Sequence, residues 1–219
     1  MARAKFWYRI VTRFWLLGLL LLAVDARAES AAAQLAALLE PVQRLSAQFT
    51  QTVHGTHQEL LQSTEGYLRL ERPQQFKWVL LAPYPQTIVT AGTRLFIYDP
   101  DLKQVQIKPL ADALNGTPAL VLLGTAKEIE AQFKVERKVA NDLDEFVLMP
   151  TDTDALYAEI RMAFSAQRLI RIEIVDSLGQ LTDVNFNNIE INGKLAPDEF
   201  EFVVPPDADV IGDDAKKPA

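Results

Sequence analysis

His54 and His57 are the chain's two imidazoles, the side chains best suited to general-base work or metal ligation near neutral pH. They flank Gly55-Thr56 in what reads as a hairpin loop, which makes them solvated turn residues. A hydrolase would also need a nucleophile, and no Gly-x-Ser-x-Gly elbow occurs. Asp99-x-Asp101 has the opening spacing of a calcium loop, but Lys103 and the lack of the central glycine fit a turn instead. Asp142 to Glu145, and Asp152 with Asp154, read as acidic rims between strands. Glycine-rich phosphate loops are missing, and cysteine is absent altogether, which removes thiolate nucleophiles, Cys-based metal sites and disulfide staples. These residues supply no catalytic group, no metal site and no cofactor motif, so the chain is not expected to be an enzyme.

Further constraints come from the N-terminus. Arg3, Lys5, Arg9 and Arg13 form a basic region, Phe14 to Val24 an apolar run short for a bilayer, and Ala26-Arg27-Ala28 a small-residue cleavage site. Residues 1–28 are expected to be a cleaved signal peptide, and 29–219 a single domain exported to the periplasm. Cleavage removes five of the 22 basic and one of the 29 acidic residues, leaving 17 against 28 and a charge of −11. Such a surface repels phosphate backbones and anionic headgroups, so no nucleic-acid partner is expected. Without a cysteine the chain cannot carry a lipid anchor itself, and it should diffuse as a monomer.

Ser30 is a good N-cap, Leu35, Leu38 and Leu39 have helical spacing, and Pro41 ends the helix that they imply. The period then switches to two. Strands are expected at Gly66 to Arg72, at Phe76-Trp78-Leu80, and in short segments from Thr87 to Val203, among them Leu181 to Phe186, Ile189 to Ile191 and Phe200 to Val203. Ala91-Gly92, Asp99-Pro100-Asp101, Leu178-Gly179 and Asn192-Gly193 supply turn chemistry between them. The insertion Leu110 to Gly124 reads as a short helical pair around Asn115-Gly116-Thr117-Pro118, Ala126 to Phe133 as another helical turn, and Pro205 to Ala219 as an irregular tail. A large antiparallel sheet with so few covering elements is compatible with a packed core or with a concave sheet around a cavity.

Phe49-Thr50-Gln51, then Gly66-Tyr67-Leu68-Arg69-Leu70-Glu71-Arg72-Pro73 followed by Phe76-Lys77-Trp78, then Tyr98-Asp99-Pro100, and finally Phe200-Glu201-Phe202-Val203-Val204-Pro205-Pro206 occur in an order and spacing that resemble the LolA family of periplasmic outer-membrane lipoprotein carriers. The resemblance covers essentially the whole chain after residue 28. It implies a mainly β (α+β) fold, an incomplete antiparallel β-barrel with an α-helical lid enclosing a hydrophobic cavity. It further implies cargo in the form of lipidated lipoproteins, received from an inner-membrane ABC lipoprotein-release transporter and delivered to the outer-membrane receptor LolB, with no cofactor. The alternatives are a paralogous carrier of another lipid or acylated compound and an envelope-stress lipoprotein sensor domain.

By position in that family, Arg72 matches the arginine that ties barrel to lid. Phe76 matches a lining aromatic, and Leu120, Val121, Leu122 and Leu123 match the inner face of the lid. Strand alternation puts Leu68, Leu70 and Arg72 on one face, and Trp78 falls in step with Phe76. A guanidinium there could donate to lid carbonyls around Leu120 to Gly124 and act as a latch.

Overall fold

The structure, a computed structural model, describes residues 29–110 and 118–212, with no side-chain description for 118–120. The expected signal peptide, the Asn115-Gly116-Thr117 part of the insertion and the end of the tail lie outside the described residues. The chain opens with α1 (Ala31–Leu39). Six strands follow: β1 (Arg44–His54), β2 (Leu60–Glu71), β3 (Gln75–Leu80), β4 (Gln86–Ala91), β5 (Arg94–Asp99) and β6 (Gln104–Pro109). Among the described residues, α2 (Pro118–Leu123) and α3 (Ala126–Gln132) interrupt the sheet. It resumes with β7 (Phe133–Ala140), β8 (Leu143–Pro150), β9 (Tyr157–Ser165), β10 (Arg168–Asp176), β11 (Leu181–Ile191) and β12 (Asp209–Gly212).

All twelve strands form one sheet in the order β12-β6-β5-β4-β3-β2-β1-β11-β10-β9-β8-β7. Hairpins join most neighbours, and the long-range pairing of β1 with β11 welds the two halves. The order is linear and ends at β7 and β12, so the sheet curls without closing. This is the incomplete antiparallel barrel that the family resemblance implies, with the parallel β12–β6 pair as its one departure.

Local chemistry explains the covering helices. The Ser30 hydroxyl accepts from the Ala33 N–H and starts α1, and the same hydroxyl donates to Glu130 on α3. Thr125 and Glu128 form a reciprocal capping box at the start of α3. Ala32, Leu35 and Leu39 of α1, Val121 to Leu123 of α2 and Ile129 of α3 are buried against the inner face of the sheet. There they meet Leu45, Phe49, Leu68, Leu70 and Phe76 from one half and Phe146, Leu148, Ile160, Met162 and Phe164 from the other.

A second, smaller cluster lies on the outer face, where Val89, Phe96, Val105 and Ile107 are covered by Phe202, Val204 and Val210 of the C-terminal segment. Phe200 to Val203 is therefore no strand. Its alternation arises because Phe200 is buried and Phe202 packs at 5.3 Å from the Phe96 ring, while Val203 stays 84% exposed. The tail, expected to be irregular, instead supplies β12. Residues 181–191 form one continuous strand rather than two, with Asn188 at φ 48° absorbing the irregularity. Asn192-Gly193 is not a hairpin turn either: the Asn192 side chain accepts from the Gln43 and Arg44 N–H groups and donates to the Pro41 carbonyl. Asp144 and Glu145 belong to β8, where Asp144 is gripped by both Nε and Nη2 of Arg137.

Candidate functional site

The inner face is built by cross-strand register. Leu68 opposes Trp78 and Leu70 opposes Phe76, while Leu45, Phe49 and Phe186 extend the same face across β1 and β11. Directly opposed residues share a face, so the aromatic side chains collect: Phe49 stacks on Trp78 at 4.1 Å, Phe76 lies 6.4 Å from Trp78, and Phe186 meets both Phe49 and Trp78 edge-on. Gly66 makes the stack possible, because a Cβ there would collide with the Phe49 ring and the Val79 carbonyl oxygen.

The structure thus gathers Leu68, Leu70, Phe76, Trp78, Val121 and Leu123 around one apolar interior. Leu120 lies in α2, but its side chain is outside the described residues. Sequence reasoning missed Phe49 and Phe186 as lining residues, and Phe164 and Leu169 on the facing strands; the period-two alternation within their strands was the signal available. A small cavity of about 20 Å³ lies among Leu38, Leu39, Leu45, Leu70, Leu122 and their neighbours. Val121, Leu122 and Leu123 of α2 are buried against the sheet beside it.

One polar device crosses this apolar boundary. Arg72 follows β2, and its guanidinium reaches over the end of the sheet. Nη1 donates to the Leu123 carbonyl at 2.7 Å and Nη2 to the Leu122 carbonyl at 2.9 Å. Nε donates to the Val42 carbonyl at 3.1 Å, and Nη2 also to the Leu39 carbonyl at 3.4 Å. The acceptors in α2 lie where the sequence placed them; those at the end of α1 were not foreseen. A signal existed, because Pro41 ends α1 and leaves carbonyls of its last turn in need of donors. Burial lowers the Arg72 pKa and Glu40 opposes the shift, and a guanidinium remains a cation throughout the physiological range.

The other reactive residues are dispersed. His54 and His57 sit at the β1–β2 hairpin, where His57 Nδ1 contacts the Thr56 hydroxyl and the His57 N–H donates to Glu59. The Asp99 carboxylate accepts from the Leu102 N–H within its turn. Among the described residues no group of three or more His, Cys, Asp or Glu side chains could hold a metal ion. Tyr157, packed at the edge of the inner cluster, has its pKa pushed up to about 12 by burial, so its phenol stays neutral. A wider groove of about 880 Å³ lies between the β2–β3 and β4–β5 turns and residues 197–203; apart from Arg72 it shares no residue with the apolar interior.

Comparison with known proteins gives the same picture at the level of the whole chain. The family model described as outer membrane lipoprotein carrier protein LolA matches residues 40–203. The outer-membrane lipoprotein carrier protein of Chromohalobacter salexigens is 39% identical over 88% of this chain and 92% of its own length. That of Hahella chejuensis is 37% identical over 81% and 86%, and that of Pseudomonas aeruginosa 35% over 93% and 99%. Among solved structures, an uncharacterized conserved protein from Thermus thermophilus superposes with a TM-score of 0.53 at 13% identity, covering 83% of this chain and 99% of that one. This last likeness concerns the fold.

Proposed function

The chain belongs to the LolA family of outer-membrane lipoprotein carrier proteins, and from that premise we propose a carrier cycle for it in which Arg72 is the latch of a lid over an acyl-chain site. It is a lipoprotein carrier, as the relatives that match it nearly end to end are named; that agreement disfavours the sensor and the paralogous carrier. The observation that carries the mechanism is the apolar inner face of an unclosed sheet, covered by helices that one arginine ties down through four carbonyls.

An acyl chain of about sixteen carbons resists leaving a membrane by roughly 12 kcal/mol, at about 0.8 kcal/mol per CH₂. Crossing the aqueous periplasm requires a container that accepts apolar chains yet hides its own apolar lining when empty. The closed lid does the hiding. Charge-assisted hydrogen bonds contribute about 1.5–3 kcal/mol, enough to bias a lid equilibrium by roughly ten- to 150-fold while buried acyl chains can still overcome it. Leu68, Leu70, Phe76, Trp78, Val121 and Leu123 then exchange contacts with one another for contacts with cargo, and no covalent chemistry is required. In this reading the protein works in the periplasm, loads from an inner-membrane ABC transporter and unloads to the receptor LolB.

Displacement of a fluorescent hydrophobic probe tests the carrier step. The probe should bind near one to one and be expelled by a triacylated lipoprotein but not by its unacylated form. Equal displacement by both would mean that the polypeptide part is recognised and would remove the acyl-chain site.

A further inference from the structure

The inner face is not apolar throughout. Along β2, Leu70, Leu68 and Gly66 face the helices, and the same alternation brings Thr64 and Gln62 onto this face toward the β1–β2 hairpin. Register extends the row. Gln51 opposes Thr64 on one side and Val184, an inner-cluster residue, on the other. Val53 likewise joins Gln62 to Thr182, which in turn opposes Ile174. Four uncharged polar side chains therefore interrupt a surface otherwise made of Leu, Ile, Val and aromatic rings. Thr64 is 3% exposed and accepts from Gln62 Nε2 at 3.2 Å, whereas the Gln51 and Thr182 side chains have no hydrogen-bond partner among the described residues.

Their position is as informative as their type. Arg72 and the cavity beneath α1 and α2 lie at one end of β2, and Gln62 lies ten residues away, roughly 33 Å at about 3.3 Å per residue. At the hairpin end Leu156 and Leu178, linked there through the Ser177 N–H and the Leu156 carbonyl, are 78% and 76% exposed. The inner face is thus graded, from apolar under the helices to hydrogen-bonding near an exposed rim. Gln51, Gln62 and Thr182 are half-buried and still reach solvent, so a ligand carbonyl seated there takes over hydrogen bonds that water otherwise makes.

Resting on the carrier reading, we propose that Gln51, Gln62, Thr64 and Thr182 form a polar collar that hydrogen-bonds the carbonyls at the head of fatty-acyl esters and amides and so fixes how deep the chains slide. Ester carbonyls only accept, and the collar supplies amide N–H and hydroxyl donors; an N-acyl amide also donates, and the glutamine carbonyls accept it. The tails lie toward α1, α2 and Arg72, and the polypeptide of the cargo leaves at the hairpin end.

A synthetic peptide carrying two palmitoyl esters on S-glyceryl-cysteine tests this against its diether analogue, which has equal alkyl chains and no ester carbonyls. Both are titrated against the bound hydrophobic probe. Two carbonyl bonds should favour the diester by about ten-fold in the wild type. In Gln62→Leu/Thr182→Val that preference should vanish while diether affinity stays within about two-fold, with circular dichroism checking the fold. Equal affinities in the wild type, or a preference that survives in the double variant, would overturn the collar. Failure of both peptides to displace the probe would instead overturn the carrier reading. Competition by a diacyl phospholipid at the diester's affinity would support a collar that reads acyl esters of any source, and its absence one that reads the lipopeptide head.

Discussion

The two faces of the sheet are covered in opposite ways. On the outer face, residues 199–212 are fastened by β12 pairing with β6 through backbone hydrogen bonds, by Phe202 against Phe96 and Tyr98, and by Lys77 Nζ on the Glu199 carbonyl at 2.7 Å. On the inner face, α1 and α2 pack on the sheet through side chains, with Arg72 donating to the Leu122 and Leu123 carbonyls at one end and Arg137 Nη1 of β7 to Gln34 Oε1 of α1. Ladder bonds zip cooperatively and shield a sheet edge, whereas a cover held by packing and a few side-chain hydrogen bonds can detach as a unit. In the proposed carrier cycle the outer cover stays in place and the inner one is the part that moves.

The largest expected effect comes from the floor beneath the inner cover. Phe49→Ala removes a 1% exposed ring stacked on Trp78, and the urea midpoint should report a loss of about 3–5 kcal/mol. A loss below about 1 kcal/mol would mean that the inner cluster is loosely packed even when shut. Arg72→Leu should leave global unfolding nearly unchanged, because leucine suits the surrounding cluster, but shift the lid toward open by roughly ten- to 150-fold. Faster hydrogen exchange in α2, uptake of cargo as in wild type and failed transfer to the receptor are the readouts; normal transfer would remove the latch from the mechanism. Phe202→Ala, which removes a half-buried ring from the outer cover, should cost about 1–2 kcal/mol, part of the value for a fully buried ring, and leave probe affinity untouched. A change in probe binding would show that the two covers are coupled.

The smallest effect concerns acid. Lys103, at 3.0 Å, holds the Asp207 carboxyl below its ordinary value of 3.8. A depressed carboxylate stabilises the folded state above its unfolded pKa and loses that contribution as pH falls through the lower folded value. Exchange at Asp209 to Gly212, corrected for intrinsic rates, should therefore accelerate only below about pH 3.8, and Asp207→Asn should remove that step. An acceleration already at about pH 6 would point to a different attachment.

Local pattern made the inner face legible and the outer cover obscure. Gly66 to Arg72 and Phe76 to Leu80 alternate in sequence as they do in space, and Ser30 and Pro41 bracket α1 by chemistry confined to a few residues. The β12–β6 pairing joins residues about a hundred positions apart in parallel, and no periodicity within Asp209 to Gly212 announces it. Phe200 to Val203 misled for a related reason: alternation reports two environments, and a strap with one side on a cluster has two as surely as a strand does. At the candidate site, alternation put Arg72 on the face of Leu68 and Leu70, and the family resemblance pointed it to the lid. The Leu39 and Val42 carbonyls were not named, since backbone acceptors carry no residue signature of their own and only Pro41, by ending α1, hinted that carbonyls there lack donors.

The gap between β7 and β12 has a mechanical consequence. A closed barrel has its circumference fixed by strand number and stagger, so its bore cannot widen without rupturing a ladder. A sheet with two free edges behaves as a leaf spring, and changing its curl spreads small twists over eleven strand pairs. In the proposed carrier cycle, such a change of curl widens the small space beneath the helices to suit chains of different length without breaking a strand ladder.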